Sequence, residues 1–389
     1  MRVLVVNAGS SSLKHALLDS AAADPDAALL ASGEERWEPG ESTGRALDSP
    51  AGTRQRLPPA GPHAEALKRA LSDHAHEADA VGHRVVHGGD RFEAPARIDD
   101  DVRAGIAAAA ELAPLHNRAA LEGIDAAREA FPHLPQVACF DTAFHRTLDA
   151  AAATYAIPAA WAREQGIRRY GFHGLNVSWC AERARALLGA ERARRLVVCH
   201  LGSGCSVSAV RGGRSADTTM GFTPLDGIPM ATRSGALDPG VVLRMLRAGG
   251  LDADAIDAAL NHDAGLLGIS ERSADLRELL DAAPADPRAR LAIDVFVRGV
   301  ASAVAAMSTA LGGIDALVFT AGVGEHSAPL RERIAERLRH LCVTLDPARN
   351  DAARPDADIA PSGAPVRVLV LRAREEWVIA RQTARLLDG

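Results

Sequence analysis

The feature that most restricts the fold of this chain is an apolar segment that runs into a turn of glycine and other small residues, because it occurs three times. The three copies cover residues 3–12, 196–206 and 316–324. In the first two copies the chain resumes as a second apolar run, at residues 13–18 and 207–210, which predicts a strand, a tight turn and a returning strand. Repetition of one unit indicates that the fold is a duplication.

The glycines in these turns point to a ligand. A residue without a Cβ lets the backbone approach another molecule closely, and successive backbone N–H groups can then point at one anion. Phosphate groups are usually held in this way. A long apolar helix, from about residue 291 to 311, precedes the third turn, whereas residues 20–62 are read as an exposed hairpin region with little chemistry. The repeated turns therefore predict phosphate binding.

Length and composition exclude several classes of protein. A single core stops growing at roughly 250 to 300 residues, so a chain of 389 residues is expected to form two domains. The net charge of −6 argues against a nucleic-acid or anionic-membrane partner. No apolar run approaches the roughly 18 residues of a membrane helix, and no signal-peptide core is found, so the cytoplasm is the expected location. Five cysteines without a C-x-x-C pair indicate reduced, mostly packed thiols.

Cations for a phosphate ligand must come from outside the common kinase motifs. The chain contains neither a Walker loop nor the H-R-D and D-F-G motifs of protein kinases. Its two lysines are Lys14 and Lys68, and Lys14 closes the first glycine turn. We expect Lys14 to face a phosphate, and a solvated side chain is the alternative.

An arginine lies inside an apolar strand in the segment G-H-R-V-V-H-G-G, residues 82–89. The planar fork of Arg84 matches carboxylate or phosphoryl oxygens two at a time, so it suits a ligand that carries both groups. An internal Arg–Asp pair is an equally consistent explanation. His83 and His87 share a face of this strand, but no third ligand is identifiable nearby, which disfavours a transition-metal site.

Three further polar residues lie at the ends of apolar strands or in turn-rich loops. Asp141 follows an apolar strand, where ligands bind in open α/β sheets, and it suits Mg²⁺ or an arginine, with capping of the next helix as the alternative. His173 is flanked by glycines, although a lone histidine is more often packed or on the surface. Arg233 lies in a loop dense in turn residues. Two arginines, a lysine and a carboxylate near glycine turns predict phosphoryl transfer assisted by a metal ion.

Ten motifs, taken in order, resemble those of the acetate kinase family. They are N-A-G-S-S-S-x-K, G-H-R-V-V-H-G-G, L-A-P-L-H-N, F-D-T-A-F-H, R-R-Y-G-F-H-G, D-T-T-M-G-F-T-P-L-D-G, T-R-S-G, G-L-L-G-I-S, F-T-A-G-V-G-E and E-E-W-V-I-A-R. Together they span residues 7–381.

The resemblance implies an α/β fold of the actin-like type, shared by acetate and sugar kinases, with two duplicated ribonuclease-H-like domains. The first domain would cover residues 1–147 and be completed by a C-terminal helix at 376–389. The second, residues 148–375, would bind the nucleotide and form a homodimer. The implied reaction is reversible phosphoryl transfer between ATP and acetate, giving ADP and acetyl phosphate. It would use Mg²⁺, with Mn²⁺ as a substitute, and proceed by direct in-line attack without a covalent enzyme intermediate.

The resemblance also implies roles for the residues that match the family's motifs. Arg84 and Arg233 would hold the carboxylate and the phosphoryl oxygens, and His173 would donate to the developing charge. Asp141 would orient an arginine and take part with Glu375 in the metal shell. The metal ion itself would be held by Asn7 and Glu375. The methyl group of acetate would contact Val86, Leu115, Phe172 and Pro224. The nucleotide would contact Lys14, Ser10, Ser12, His200, Gly202, Ser203, Gly204, Asp275, Leu276, Arg277, Gly322, Val323, Gly324, His326 and Leu330.

Four positions depart from the family pattern. Ser203 replaces an asparagine, Val177 a histidine, Arg118 and Ala119 two prolines, and Ala373 with Arg374 a Thr-Asn pair. These changes would fit slower turnover, a shifted acyl substrate or weaker metal binding.

Two alternative functions follow from these departures. One is a propionate or butyrate kinase of the same fold, because one methylene shifts selectivity by only about 1 to 3 kcal/mol. The other is a nucleotide-binding regulator with weakened catalysis.

Overall fold

The computed structural model describes residues 1–8, 12–36, 43–48, 54–60, 77–111 and 113–389, with side chains at all of these except 12, 35, 36, 43–48, 54–60, 114 and 115. The chain divides into two compact units. The first unit comprises Met1–Phe144, His173–Asn176 and Arg374–Gly389. The second unit comprises His145–Phe172 and Val177–Ala373.

The first unit is built on a mixed sheet of eight strands in the order β5-β4-β3-β2-β1-β6-β8-β7. The strands are β1 (Arg2–Ala8), β2 (Ser12–Asp19), β3 (Leu29–Arg36), β4 (Thr43–Asp48), β5 (Arg54–Ala60), β6 (Ala80–Val85), β7 (Ala96–Arg97) and β8 (Gln136–Phe140). β6 is parallel to both β1 and β8, and the other neighbours pair antiparallel. The antiparallel run from β3 to β5 agrees with the hairpin region predicted for residues 20–62.

The second unit contains a six-stranded sheet in the order β11-β10-β9-β12-β14-β13. Its strands are β9 (Arg195–Leu201), β10 (Cys205–Arg211), β11 (Arg214–Thr218), β12 (Ala316–Thr320), β13 (Ala357–Asp358) and β14 (Arg367–Val370). β12 is parallel to β9 and β14, and the other pairs are antiparallel. The six strands β3-β2-β1-β6-β8-β7 of the first sheet thus have the same order and directions as the six strands of the second sheet, and β4 and β5 extend the first sheet by two more antiparallel strands. This repeated order confirms the predicted duplication.

The glycine turns differ in detail from the prediction. The turn between β9 and β10 is shorter than residues 200–206, because Leu201 pairs with Cys205 and His200 with Ser206. The third glycine segment is not a turn, since helix α12 (Ala321–His326) begins directly after β12. Ala321, the first residue of this helix, has a φ of +64°, which lies in the left-handed region.

Among the described residues of the first unit there are four α-helices, and two of them cover its central strands. They are α1 (Pro25–Ala28), α2 (Asp100–Ala109), α3 (Pro114–Ala130) and α15 (Glu375–Leu387). α3 and α15 both pack on β1 and β6, and α2 packs on α3. Residues 3–6 of β1 are buried because helices cover this central strand. The last helix of the chain is therefore part of the core formed by its first strand.

The remaining α-helices belong wholly or mostly to the second unit. They are α4 (Ala150–Ala153), α5 (Ala159–Gln165), α6 (Gly174–Leu188), α7 (Pro239–Ala248), α8 (Ala253–Ala258), α9 (Gly265–Ser270), α10 (Leu276–Ala282), α11 (Pro287–Leu311), α12, α13 (Ala328–Arg337) and α14 (Pro347–Asp351). The described residues also form short 3₁₀ turns at Ala143–Thr147 and Arg339–Leu341 and a π-helical turn at Ala259–Asp263.

Helix α11 corrects the expectation that no segment is apolar enough to cross a membrane. It has 25 residues, and its most apolar 18-residue window has a mean hydropathy of 1.6. Counting uninterrupted apolar residues missed it, because glycine, serine and a few charged residues interrupt the run. Within the second unit α11 packs on β9, β10 and β11 and on α9, α10 and α13, and 56% of that window is buried. A core helix passes the same test of length and composition.

We expect Gly82→Ala to destabilise the first unit, because β6 lies against α15 without room for a side chain. A Cβ at Gly82 would lie 2.6 Å from Oγ1 of Thr383 and 2.7 Å from Cγ2 of Ile379. Overpacking of this kind costs about 1 to 3 kcal/mol, which urea unfolding would detect. Gly322→Ala is the matched control, since its Cβ would meet no atom within 4 Å. Equal unfolding midpoints for the two variants would contradict this account of the packing.

Candidate active site

Polar residues lie at one edge of the first sheet, where three parallel strands end. Asn7 lies on β1, Arg84 on β6, and Asp141 one residue past the end of β8. β6 lies between β1 and β8 and is parallel to both. Ligands bind at the carboxyl ends of the strands in open α/β sheets, so this edge of the sheet is a candidate binding site.

The guanidinium of Arg84 lies between two carboxylates. Its Nε and Nη2 donate to Oδ2 of Asp141 at 3.2 and 2.7 Å, and its Nη1 lies 3.1 Å from Oε2 of Glu375, the first residue of α15. The Asp141 side chain is 1% exposed, whereas those of Arg84 and Glu375 are 17% and 13% exposed. The Arg–Asp pair that the sequence left as an alternative is therefore present, and a second carboxylate joins it.

Burial and charge act in opposite directions on this cluster. Burial lowers the pKa of Arg84, but Asp141 and Glu375 more than offset it and raise that pKa above its usual value. Burial raises the pKa of Glu375, Arg84 lowers it, the neighbouring Glu376 raises it and Lys14 lowers it, with a net rise. The site therefore combines a permanent cation with a carboxylate that holds its proton more tightly than an exposed glutamate does.

His173 is placed beside Asp141 by the residue that follows it. The N–H of Gly174 donates to the carbonyl oxygen of Asp141 at 3.0 Å, and a Cβ at Gly174 would lie 2.1 Å from that oxygen. Only glycine fits such a close approach. His173 has a φ of +59°, a left-handed conformation that residues other than glycine adopt rarely and often at functional sites.

Arg233 belongs to the second unit and lies in an irregular loop. Its Nη1 donates to the carbonyl oxygen of Pro224 at 3.4 Å, and its own carbonyl accepts from the N–H of Met230 at 3.0 Å. Gly265, with a φ of +61°, packs against this loop, since a Cβ there would lie 2.2 Å from the oxygen of Met230. Burial lowers the pKa of Arg233 and nearby Cys205 raises it, with a net fall. In this respect Arg233 differs from Arg84.

A cavity of about 820 Å³ opens in the second unit. It is lined by the turn after β9, by helix α10 and by helix α12, and its volume falls within the range of small-molecule sites. Eight of the residues predicted for the nucleotide line it: Gly202, Ser203, Asp275, Leu276, Arg277, Gly322, Val323 and His326. The structure thus brings together residues that are more than 100 positions apart in the sequence.

Other residues predicted for the nucleotide do not line this cavity. Among the described residues, Gly204 and Gly324 adjoin lining residues in the sequence, His200 lies two positions before Gly202, and Leu330 is 1% exposed. Leu330 points into the protein interior because it lies on the packed face of α13. Lys14 is in the first unit, half exposed, with its Nζ 4.0 Å from Oε1 of Glu34. Ser10 and the side chain of Ser12 lie outside the described residues.

Several residues of the cavity wall were not predicted from the sequence. They are Ala231, Leu266, Ala274, Leu280, Asp281, Phe296, Ser327 and Pro329. Helical spacing would have found Leu280, which follows Leu276 by one turn on the same face of α10. Asp275 begins that helix, since its carboxylate accepts from the N–H of Arg277 at 2.8 Å. Phe296, on α11, carries no motif that would have marked it.

A buried arginine that the sequence analysis did not consider holds helix α12 in place. Arg331 is 2% exposed, and its Nη1 donates to the carbonyl oxygens of Gly324 and Glu325 at 3.0 and 2.9 Å. Its Nε donates to Oδ1 of Asn350 at 2.8 Å. Burial lowers the pKa of Arg331 to about 10. These contacts satisfy carbonyls at the end of the helix that forms one wall of the cavity.

The residues predicted to contact a methyl group belong to both units. Val86 is half-buried in the first unit, and the side chain of Leu115 lies outside the described residues. Phe172 and Pro224 are buried in the second unit, where the carbonyl of Phe172 accepts from Nε2 of His145 at 2.9 Å. The methyl pocket therefore stays a prediction.

The donors at the edge of the first sheet fit a hard divalent cation. Asn7 and Glu375 offer amide and carboxylate oxygens, the ligand types that Mg²⁺ prefers, and Mg²⁺ commonly takes only one or two carboxylates besides substrate phosphates. Within the part of the chain that the structure describes, no group of three or more His, Cys, Asp or Glu side chains is placed to hold a metal ion. The oxygen donors of Asn7 and Glu375 suit Mg²⁺ in their chemical type.

His83 and His87 have separate roles in the first unit. Nε2 of His83 lies 2.9 Å from Oε1 of Gln136, whereas Nδ1 of His87 accepts from the N–H of Gly89 at 2.9 Å. Both histidines are buried. Their contacts account for their burial without a metal ion.

The four departures from the family pattern lie in different environments. Ser203 and Arg118 are exposed, whereas Val177 is fully buried in α6. The N–H of Ala373 donates to Oε1 of Glu325 at 2.9 Å, and Arg374 forms an ion pair with Asp26. With these substitutions in the chain, Arg84 still forms its ion pairs with Asp141 and Glu375.

Comparison with known proteins gives matches along the whole chain. Residues 2–381 match the family model described as the acetokinase family. A protein named acetate kinase from Synechococcus sp. (strain JA-2-3B'a(2-13)) is 45% identical over 100% of both chains. The crystal structure of Porphyromonas gingivalis acetate kinase matches with a TM-score of 0.90 and 36% identity, covering 99% of each chain. A propionate kinase from Francisella tularensis subsp. tularensis SCHU S4 matches with a TM-score of 0.90 and 37% identity, also covering 99% of each chain.

We expect His83 to make the stability of the protein fall in acid. Burial lowers the pKa of His83 from 6.5 to about 4, although the bond to Gln136 raises it in part. A depressed folded-state pKa means that its contribution is complete above pH 6.5 and is lost as the pH falls toward 4. The loss is at most about 3 kcal/mol. Urea unfolding between pH 7.5 and 4.5 should therefore show a shallower decline for His83→Gln than for wild type. The same decline in both would rule this out, and exposed His133→Gln serves as the control.

Proposed function

The chain belongs to the acetokinase family, and from that premise we propose that it moves a phosphoryl group between ATP and acetate, giving ADP and acetyl phosphate. Its fold is the actin-like α/β fold that the resemblance implied. The single observation that carries the proposal is the Arg84 guanidinium, held by Asp141 and Glu375 at the carboxyl ends of the parallel strands.

In the proposed reaction an acetate oxygen attacks the γ-phosphorus of ATP directly. A bond forms between that oxygen and phosphorus while the bond to the bridging oxygen breaks, and the electron pair leaves with ADP. The protein contributes mainly positioning and charge in such a transfer. No side chain needs to become phosphorylated. The reverse direction uses the same contacts, with ADP as the attacking group.

Arg84 is the proposed anchor of the carboxylate. Asp141 holds Nε and Nη2 of the guanidinium, so the fork keeps one orientation while its remaining N–H groups serve the ligand. Arg233 and His173 are proposed to neutralise charge on the transferred phosphoryl group. The lowered pKa of Arg233 indicates that burial removes part of its solvation, and a phosphoryl group would compensate for that loss.

The nucleotide is proposed to occupy the 820 Å³ cavity of the second unit. Gly202 and Gly322 bring backbone close to the ligand, while Leu276 and Val323 supply apolar surface for a base. Asp275 and Arg277 form an ion pair at 2.6 Å at the start of α10 and would lie near the ribose. Lys14 is proposed to reach the terminal phosphates.

The enzyme uses a divalent metal ion, as its family does, and we propose that this ion is Mg²⁺, with Mn²⁺ as a substitute. Asn7 and Glu375 would hold it through oxygen atoms. When bound, the ion would neutralise charge on the nucleotide phosphates. Glu375 binds a metal ion as a carboxylate. The Arg84 guanidinium, whose Nη1 lies 3.1 Å from Oε2 of Glu375, favours that ionised form.

Propionate is the second candidate substrate. The Francisella tularensis protein, 37% identical to this chain, is named a propionate kinase. The two acids differ by one methylene, which an apolar pocket distinguishes by only about 1 to 3 kcal/mol. Acetate remains the first candidate because the curated relatives of this chain are named acetate kinase.

We propose that the protein is a cytoplasmic homodimer and that its two units are the two predicted domains. Helix α7 has no buried residue, and four large apolar side chains on or next to it are more than 40% exposed: Leu237, Val241, Leu243 and Leu246. Exposed apolar surface of this kind is typical of an interface. A second copy of the chain would cover it, as the resemblance implied for the second domain.

We expect the wild-type protein to form acyl phosphate from ATP, Mg²⁺ and acetate, trapped as the hydroxamate. Arg233→Ala should lower kcat by about 100- to 1,000-fold, because a cation that faces the transferred group is lost. Exposed Arg337→Ala in the same unit is the control and should keep wild-type activity. Assays with propionate and butyrate identify the preferred acid. Absence of product from wild type with all three acids would favour the regulator, and full activity in Arg233→Ala would remove Arg233 from the mechanism.

Substitution on helix α7 should separate the dimer. We expect Leu246→Asp to halve the mass measured by sedimentation at micromolar concentration, because a buried carboxylate opposes association. Leu187→Asp, at an equally exposed leucine on α6, is the matched control and should leave the mass unchanged, since both leucines are 43% exposed. A dimeric Leu246→Asp protein would place the interface elsewhere.

A further inference from the structure

Hydrogen bonds hold the end of β6 and the loop that follows it, at each residue from 85 to 89 except Val86. The carbonyl of Val85 accepts from the N–H of Asp141 at 3.0 Å, and the N–H of Gly88 donates to Oγ1 of Thr142 at 3.1 Å. Residues 141 and 142 therefore bind this loop on both sides of Val86, and Asp141 also binds Arg84. Val86 itself is half-buried and two positions from Arg84.

A single amide side chain completes this frame. Asn117, in the first turns of α3, is fully buried. Its Oδ1 accepts from the N–H of His87 at 3.0 Å, and its Nδ2 donates to the carbonyl oxygen of His87 at 2.9 Å. Both bonds go to the backbone of His87. The Asn117 side chain therefore satisfies the backbone groups of a residue that lies beyond the end of β6, where no neighbouring strand pairs with it.

The pair of bonds accounts for the identity of residue 117. An amide alone among side chains of this length carries a donor and an acceptor side by side. Aspartate would keep the acceptor and lose the donor, and alanine would lose both and leave two buried backbone groups without this partner. His87 is fixed in turn, because its Nδ1 accepts from the N–H of Gly89 at 2.9 Å.

We propose that Asn117 is a positioning residue that sets the place of Val86 and, through it, the size of the carboxylic acid that reaches Arg84. This inference rests on the proposed function, in which Val86 contacts the methyl group of acetate. Asn117 acts on His87 and not on the substrate. Because Val86 lies between Val85 and His87, which are both bonded, its backbone has little freedom to move away from a longer acid.

The test compares variants that remove two different sets of hydrogen bonds to this loop, those of Asn117 and that of Thr142. Asn117→Asp removes the donor to His87, directly after Val86, while Thr142→Val removes the acceptor for Gly88, one residue further along, and Thr142→Ser retains it. For each variant, kcat/KM is measured with acetate and with propionate, and KM is measured for ATP. The matched control is Asn350→Ala, a buried asparagine of the second unit that holds Arg331 beside the nucleotide cavity.

We expect Asn117→Asp and Thr142→Val to lower the acetate-to-propionate ratio of kcat/KM by about tenfold, near the lower limit of what one methylene is worth. KM for ATP should stay within about twofold, and Thr142→Ser should keep the wild-type ratio. Asn350→Ala should show the opposite pattern, with KM for ATP raised and the acid ratio unchanged. A loss of stability alone would not produce this split.

An unchanged acid ratio in Thr142→Val and Asn117→Asp would overturn the inference while leaving the proposed function intact. If Asn117→Asp does not fold, the Thr142 pair decides the question. A wild-type protein that phosphorylates no acid would instead overturn the proposed function, and the inference with it. The two failures are distinguishable, because only the second is visible before any substitution is made.

Discussion

The contact on which the structure of the first unit most depends is that of Arg84 with Asp141 and Glu375. A guanidinium that is largely removed from water must be paired with carboxylates, or its desolvation destabilises the fold. Asp141 follows the strand next to Arg84, but Glu375 comes from the last helix of the chain, 291 positions after Arg84. The charged cluster is therefore complete only when α15 has docked on β1 and β6. The proposed site thus depends on the packing of the last helix of the chain against its first strand.

The duplication shows how the same strand order can serve two tasks. In the first sheet the ends of the parallel strands carry Arg84 and Asp141, whereas in the second sheet the corresponding strand β12 leads into α12, which carries Gly322 and Val323. Charged side chains suit small anionic groups, and exposed backbone beside an apolar wall suits a nucleotide. The difference lies in the residues at the strand ends and not in the topology.

Much of the fold could be predicted because its signals are local. An apolar strand followed by a glycine turn involves only consecutive residues, as at β1 and β9, so the sequence alone reveals it. The repetition of that pattern indicated the duplication. Contacts between distant residues could not be read in this way: the sequence left capping, metal binding and an arginine as alternatives for Asp141. The resemblance implied that Leu330 contacts the nucleotide, but which face of a helix is packed depends on its tertiary neighbours, and the Leu330 side chain is buried. Arg331, beside it, belongs to no glycine turn and was overlooked.

The segment that leads into Glu375 shows how a departure from a family motif can be absorbed by local contacts. Where the family usually has Thr-Asn, this chain has Ala373 and Arg374, and no side chain caps the helix that follows. The N–H of Ala373 donates instead to the carboxylate of Glu325, and Arg374 forms its ion pair with Asp26. Both contacts restrain the backbone within two residues of Glu375. The position of that carboxylate is therefore maintained by different partners, and the interaction with Arg84 does not require the usual residues before it.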